Sequence, residues 1–139
     1  MKLKIVVDAG AKMPTRAHRT DAGLDLYSME DKVITPFGSV TFNTGVHIEI
    51  PEGYVGMVKS KSGLMVNHAI TTDGTVDAGF TGAIHVKLFN NCGARYVVEK
   101  GQKIAQLVLL PIITPELEVV EELEKTERDS NGFGSTGKF

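Results

Sequence analysis

Apolar residues recur at every second position along much of this chain, and that period constrains the fold more than any other feature of the sequence. Residues 46–50 and 84–88 alternate apolar with polar side chains, and in residues 3–7 Leu3, Ile5 and Val7 share one face, with Lys4 on the other. Successive side chains of a β-strand point to opposite faces, so each segment predicts a strand with one buried face. Further strands, separated by turn residues, are predicted at 54–58, 95–99, 103–110 and 117–123. The sequence therefore predicts an all-β fold, a distorted jelly-roll or β-barrel of short strands.

Two segments fit this period less well. Residues 64–68 follow a glycine and could form one short helix. Residues 118–127 have helix-forming composition, yet the alternation of Leu117, Val119 and Glu121 favours a strand for the first half.

Length and charge limit the kind of protein and partner. A chain of 139 residues is large enough for one core and too small for two. Its 15 basic and 17 acidic residues leave a formal net charge of −2, which gives no general attraction to nucleic acid or to an anionic membrane. The N-terminus lacks the apolar stretch of a signal peptide. We therefore expect a cytoplasmic protein with no nucleic-acid or membrane partner.

The last twelve residues, 128–139 (the tail), have a different character from residues 1–127, which are predicted to form the β domain. Glycine is frequent in the tail and leaves backbone N–H groups free to surround an anion, while hydroxyl and guanidinium groups add further donors. The candidate phosphate ligands of the tail are the backbone N–H groups around Gly132, Gly134 and Gly137, the hydroxyls of Ser135 and Thr136, and the charged groups of Arg128 and Lys138. A flexible phosphate-binding arm is one interpretation, and a disordered, solvated terminus is the other.

The tail also has P-loop spacing, with Gly132, Gly137 and Lys138 in the required positions. The next residue is Phe139 rather than Ser or Thr, and the chain ends before any helix could follow. A P-loop fold is therefore excluded.

Four further clusters precede the tail. They are residues 22–28 around Asp25, residues 56–64 with Lys61, Ser62 and Gly63, residues 74–82 with Asp77 and Phe80, and residues 101–107 with Gln106. In this order, and followed by Gly-Phe-Gly-Ser-Thr-Gly-Lys, the five clusters resemble the five motifs of trimeric dUTPases. The resemblance extends from about Ala22 to Lys138.

The resemblance implies a jelly-roll fold, a homotrimer with three shared active sites, and Mg²⁺-dependent conversion of dUTP to dUMP and pyrophosphate. By the same resemblance, Asp77 is the general base that takes a proton from the attacking water. Asp25 would hold the waters around the magnesium ion rather than bind the ion directly.

The resemblance also implies which residues contact the substrate. Phe80 would pack against the deoxyribose, although a core aromatic is the alternative for this residue, and Phe133 would stack on uracil. The backbone of Gly74, Thr75 and Val76 would read the edge of the uracil ring. The phosphates would be bound by Lys61, Ser62, Gly63, Gln106, Arg128, Gly134, Ser135 and Thr136.

Some positions depart from the family pattern. The second motif usually reads Pro-Arg-Ser-Gly, whereas Lys61 keeps the charge here but lacks the two-pronged geometry of arginine. Weaker phosphate binding or slower turnover is expected from that change. Asp129 and Asn131 replace smaller residues in the fifth motif. The carboxylate of Asp129 is expected to weaken the attraction of Arg128 for phosphate.

Three other functions agree less well with the sequence. dCTP deaminase has a similar fold but carries a catalytic Glu where this chain has Lys87, and a lysine is a poor replacement for a carboxylate base. A non-catalytic nucleotide sensor would have no need of both Asp25 and Asp77. A purely structural jelly-roll leaves the tail unexplained.

Overall fold

The computed structural model describes the whole chain, residues 1–139, as eleven β-strands and one short helix. The strands are β1 Lys4–Val7, β2 Gly23–Tyr27, β3 Lys32–Ile34, β4 Ser39–Asn43, β5 Val46–Glu49, β6 Tyr54–Lys59, β7 Ile70–Thr71, β8 Asp73–Val76, β9 His85–Asn90, β10 Tyr96–Val98 and β11 Lys103–Pro111. Helix α1, Ser62–His68, lies between β6 and β7. The all-β jelly-roll predicted from the alternation is confirmed.

Every strand pair is antiparallel, and most paired strands are distant in sequence. The largest sheet has the order β2-β11-β6-β8, and a second has the order β4-β9-β7. The pairs β1-β5 and β10-β3 complete the fold. Strand β11 is central to the first sheet, so it brings residues from the first and last thirds of the chain side by side.

The period-two pattern is realised most fully in β9, where exposed and buried residues alternate over all six positions. Its buried residues Val86 and Leu88 join a cluster of 17 buried apolar residues from nearly every strand. Each such side chain contributes about 1.5–3 kcal/mol on burial. The core therefore fixes which face of each strand is left for the polar residues described below.

Most of the predicted elements are found. The strands expected at 3–7, 46–50, 54–58, 84–88, 95–99 and 103–110 correspond to β1, β5, β6, β9, β10 and β11. The short helix expected at 64–68 is α1, which begins two residues earlier.

The strand expected at 117–123 is wrong. No strand or helix follows Pro111, and Leu117 and Val119 are 94% and 98% exposed. A strand needs a neighbour to accept its hydrogen bonds, and no strand of the same chain pairs with this segment.

No helix of this structure could span a membrane, since its single helix, α1, has only seven residues.

Candidate active site

A row of polar residues crosses the four strands of the largest sheet. Asp25 on β2 is opposite Gln106 on β11, which is opposite Lys59 on β6, and Lys59 is opposite Asp73 on β8. Residues that pair directly across strands point to the same side of a sheet. The neighbouring row of Leu107 and Val58 is buried in the core. The polar row therefore lies on the face turned away from the core.

Asp25 is the most buried carboxylate of this row, at 5% exposed, although it faces away from the core. Two lysines cover it: Lys61 Nζ lies 2.5 Å from Oδ1 and Lys103 Nζ lies 2.7 Å from Oδ2. Burial by itself raises the pKa of Asp25, but the hydrogen bonds from Lys103 and Lys61 outweigh it, and the net effect lowers the pKa below its ordinary value. The same contact raises the pKa of Lys103. Asp25 is thus an ionised carboxylate between two ammonium groups.

Lys103 was missed by the sequence analysis, and a β-bulge explains why. Lys103 and Gln106 are three residues apart and would point to opposite faces of a regular strand. The register of β11 against β2 shifts between Lys103 and Ala105. A bulge redirects the side chain of the bulged strand, so Lys103 reaches Asp25 on the same face as Gln106.

Gln106 holds the segment that carries the second motif. Its Nε2 donates to the Ser60 carbonyl at 3.0 Å, and the Ser60 hydroxyl in turn donates to the Thr72 carbonyl at 2.9 Å. Gly23 makes room for this arrangement, because a Cβ there would lie 2.3 Å from Gln106 Oε1. Gln106, predicted to bind phosphate, contacts the Ser60 backbone in this structure.

The second motif ends at the start of α1. Lys61 precedes the first turn, Ser62 and Gly63 form it, and both of these are exposed. The first N–H groups of a helix have no partner within the helix. Asp25, Lys61, Lys103 and Gln106 (the Asp25 cluster) therefore lie beside free backbone donors on one side of the sheet.

A second group of predicted residues surrounds a cleft of about 250 Å³. The cleft follows β8, where residues 77–82 (the Asp77 turn) leave the sheet. The Phe80 N–H donates to the Asp77 carbonyl at 3.2 Å, and Gly79 has φ of 88°, which suits glycine at the third position of a tight turn. The lining residues are Val58, Gly74, Thr75, Val76, Asp77, Phe80, Ala83, Ile84 and His85.

Phe80 lies at the mouth of this cleft and is 48% exposed, so the alternative of a core aromatic is wrong. Its ring rests against Gly82, since a Cβ added there would lie 2.6 Å from Phe80 Cζ. The glycine therefore determines where the Phe80 ring can lie.

His85 also lines the cleft, although the sequence analysis did not select it. Its Nδ1 lies 3.0 Å from the Ala83 carbonyl. The alternation of residues 84–88 points His85 outward directly after the Asp77 turn, and that is the signal that could have identified it.

The tail forms its own set of turns, away from both groups. Arg128 Nε donates to the Asn131 carbonyl at 2.9 Å, and the N–H groups of Ser135 and Gly137 donate to Gly132 and Gly134. A concave surface of about 450 Å³ is lined by Thr126, Glu127, Arg128, Asn131, Ser135 and Thr136. The Phe133 ring is fully exposed.

One chain does not bring these groups together. Asp77 lies three strands away from Asp25 and about four residues further along the sheet. With a strand spacing of about 4.8 Å and a rise of about 3.3 Å per residue, the two carboxylates are on the order of 20 Å apart. Asp25, Asp77 and the tail therefore form three separate sets in a single chain.

The metal-ligating side chains near Asp25 decide whether a magnesium ion could bind there. No three His, Cys, Asp or Glu side chains converge anywhere in the chain, and Asp25 is the carboxylate that contacts Lys61 of the second motif. Mg²⁺ commonly binds through one or two carboxylates, several waters and the phosphates of a substrate, rather than in an all-protein cage. The residues present fit an ion of that kind.

Comparison with known proteins gives a consistent result. The model of the dUTPase family matches residues 9–137. The chain is 43% identical to the deoxyuridine 5'-triphosphate nucleotidohydrolase of Clostridium tetani, over 99% of this chain and 97% of that protein. It is also 43% identical to the enzyme of the same name from Trichodesmium erythraeum, over 99% of each chain.

Solved structures show the same similarity. The dUTPase of Staphylococcus bacteriophage 80alpha, in complex with dUpNHpp, superposes with a TM-score of 0.92 at 35% identity, covering 99% of both chains. A variant dUTPase from phage phi11 of S. aureus, described with a structural Mg(II) ion, superposes with a TM-score of 0.84 at 34% identity, covering 90% of this chain and all of that one.

Proposed function

This chain belongs to the dUTPase family and hydrolyses dUTP, and we propose that it does so with Asp77 of one subunit acting on a triphosphate held by the Asp25 cluster of another. The observation that carries the proposal is the cleft in which Asp77, Phe80 and residues 74–76 converge. This cleft combines a carboxylate, an aromatic ring and exposed backbone groups, which are the parts needed to hold a nucleoside beside a base.

Asp77 is the general base. It is exposed at the rim of the cleft, where its carboxylate would reach a water molecule beside the α-phosphate of a bound nucleotide. The carboxylate accepts a proton from this water while the water oxygen bonds to the α-phosphorus. The bond from that phosphorus to the bridging oxygen breaks, so pyrophosphate leaves and dUMP remains.

Charge that develops on the phosphates is stabilised by hydrogen-bond donors from the sheet and from the tail. Lys61, together with the free N–H groups of Ser62 and Gly63, faces the phosphates from the sheet side, and Gln106 keeps this segment in place through Ser60. Arg128 and the hydroxyl and N–H groups of residues 134–136 cover the phosphates from the tail. Preorganised donors of this type commonly contribute about 3–4 kcal/mol each to the stabilisation of a transition state.

Asp25 would hold the waters of a Mg²⁺ ion that accompanies the triphosphate. When bound, such an ion neutralises phosphate charge and orients the chain of phosphates. Asp25 suits this role because it stays ionised between Lys61 and Lys103. Either lysine can turn from Asp25 to a phosphate oxygen when substrate binds.

Selectivity for dUTP arises in the cleft. The backbone of Gly74, Thr75 and Val76 offers fixed donors and acceptors to the uracil edge, and the Phe80 ring leaves no room for a ribose 2′-hydroxyl. Phe133, which has no other apolar contact, stacks on uracil when the tail closes over the site. Closure also keeps bulk water away from the reacting phosphorus.

Assembly as a homotrimer brings the three sets of residues together. The separation of Asp25 from Asp77 in one chain supports a site shared between chains. The segment after β11 supports it as well, since Ile113, Leu117 and Val119 are almost fully exposed and would gain burial against a neighbour. The cytoplasmic location expected from the sequence is retained as part of this proposal.

The direct test is pyrophosphate release with Mg²⁺ from dUTP, dCTP, dTTP and UTP, for the wild type and for Asp77→Asn. Release from dUTP alone, lost in the variant while dUTP still binds, is the expected result. Unchanged release by Asp77→Asn would show that another group is the base, and release from dCTP or UTP at the same rate would contradict the assignment of the cleft.

A further inference from the structure

His47 is placed between the N-terminal strand and the Asp77 turn. It lies on β5, opposite Val6 of β1. Its ring nitrogens reach out in two directions: Nδ1 lies 2.8 Å from the Thr81 carbonyl oxygen, and Nε2 lies 3.2 Å from both carboxylate oxygens of Asp8. Thr81 directly follows Phe80, so one of these contacts is made to the Asp77 turn itself.

Both partners of this imidazole are acceptors. A carbonyl oxygen and an ionised carboxylate can only accept hydrogen bonds, and a neutral imidazole carries only one N–H. Both contacts are satisfied together only when His47 is protonated on both nitrogens. The hydrogen bond to Thr81 and then the contact with Asp8 raise the pKa of His47 above its ordinary value.

The contact to Thr81 fixes one end of the turn that carries Asp77 and Phe80. The segment after the turn is already bonded to the fold at Ile84, whose N–H donates to the Val46 carbonyl at 2.8 Å and whose carbonyl accepts from the Thr44 N–H at 3.1 Å. The segment between Phe80 and Ile84 has no other hydrogen bond to β5. His47 is therefore the group that ties the turn to β5 directly beside Phe80.

We propose that His47 is a positioning residue for dUTP hydrolysis: its imidazolium links Asp8 to Thr81 and holds the Asp77 turn in the conformation that the cleft requires. The proposal rests on the proposed function, because it assumes that Asp77 and Phe80 act on dUTP. His47 contacts neither the cleft nor the Asp25 cluster, so its effect passes through Thr81.

The position of the turn consequently depends on pH. The charged groups facing His47 are Asp8 and, further along the same pair of strands, the Lys4–Glu49 ion pair. His47 has a raised pKa in the folded protein, so its link is complete below the ordinary pKa of 6.5 and is lost as pH rises through the raised value. Above that value one N–H is missing, and either Asp8 or Thr81 loses its donor.

The test compares His47→Gln and Asp8→Asn with Glu49→Gln. The last variant is the matched control, because it removes a β1–β5 ion pair from the same two strands without touching Thr81. KM and kcat for dUTP are measured across the neutral and alkaline range. Any ionisation of the uracil ring is common to all four proteins and cancels in the comparison.

The wild type is expected to show a KM that rises as His47 loses its proton. In His47→Gln this step is absent, and KM at neutral pH is about three- to tenfold higher, as for the loss of one hydrogen bond. In Asp8→Asn the step moves to lower pH, and Glu49→Gln follows the wild type. A His47→Gln enzyme that matches the wild type in KM, kcat and pH profile would overturn the proposal.

A second measurement needs neither a variant nor activity. NMR titration of the ring nitrogens in the wild-type protein is expected to show His47 protonated on both nitrogens beyond its ordinary pKa. Titration at or below that value would overturn the proposal. Loss of hydrolysis in Asp77→Asn tests the proposed function separately, so the two can fail independently.

Discussion

Lys61 Nζ lies 2.5 Å from Asp25 Oδ1, so the cation proposed to bind the phosphates is paired with the carboxylate proposed to hold the waters of the metal ion. Lys103 contacts the other oxygen of the same carboxylate at 2.7 Å. Substrate must therefore compete with Asp25 for these lysines, or share them with it. This relationship connects phosphate binding, metal binding and stability at one place on the sheet.

Lys61→Arg is expected to lower KM for dUTP or to raise kcat. A guanidinium can keep one N–H on Asp25 and present another to a phosphate oxygen, which the single ammonium of lysine does less well. Steady-state kinetics with saturating Mg²⁺ measure the change. Identical kcat and KM in the two proteins would mean that lysine at this position neither weakens phosphate binding nor slows turnover.

Asp25→Asn is expected to destabilise the protein by about 1–3 kcal/mol at neutral pH, because two ammonium groups lose their buried acceptor. The pKa of Asp25 is lowered by folding, so its contribution is present above the ordinary value of 3.8 and is lost as pH falls through the lower folded value. Urea unfolding of both proteins should therefore differ at neutral pH and converge in acid. A difference that persists unchanged in acid would argue against an ionised Asp25.

The same variant should also need more Mg²⁺ for half-maximal hydrolysis, since the waters of the ion lose a charged acceptor. Asp73→Asn serves as its control, because Asp73 lies in the same polar row but pairs only with the exposed Lys59. An equal Mg²⁺ requirement in Asp25→Asn and Asp73→Asn would contradict the assignment of Asp25 to the magnesium site.

Gly82→Ala is expected to displace the Phe80 ring, because the new methyl group would lie 2.6 Å from Phe80 Cζ. KM for dUTP should rise, and the preference for dUTP over UTP should weaken. In a Phe80→Ala background the same substitution should have little further effect, since the clash is gone. Additive effects of the two substitutions would place the cause elsewhere in the turn.

Deletion of residues 128–139 should leave the free energy of unfolding within about 0.5 kcal/mol of the full-length value, because these residues are exposed and contribute nothing to the core. It should lower kcat/KM for dUTP by at least about 100-fold, through the loss of Arg128 and the tail donors. Chemical denaturation and pyrophosphate release measure the two effects. A tail-less protein that retains full activity would disprove the assigned role of the tail.

The local pattern of the sequence was sufficient to predict six of the eleven strands and α1, because alternation and turn residues act over a few positions. It failed at residues 117–123, where the alternation is present but no partner strand exists within the chain. The conformation of these residues could be predicted only if the segments that pack beside them were known.

Contacts between residues far apart in the sequence could not be predicted either. Lys103 reaches Asp25 only because of the bulge in β11, and the residue pattern does not predict this bulge. His47 meets acceptors that are 34 and 39 residues away, so its role depends on how β1 and the Asp77 turn pack against β5. The residues of the five motifs could be selected from the sequence, whereas the groups that support them could not.

The central claim is that Asp77 of one subunit acts on phosphates held by the Asp25 cluster of another, and subunit mixing tests it most directly. Asp77→Asn protein, which is expected to be inactive, and Asp25→Asn protein are unfolded, mixed in equal amounts, refolded together and assayed at a Mg²⁺ concentration at which Asp25→Asn alone releases little pyrophosphate. If the two carboxylates of a site come from different chains, random assembly leaves both intact in about one quarter of sites, and about that fraction of wild-type dUTP hydrolysis should return. If no activity returns although mixed oligomers form, both carboxylates act within one chain and the claim is wrong.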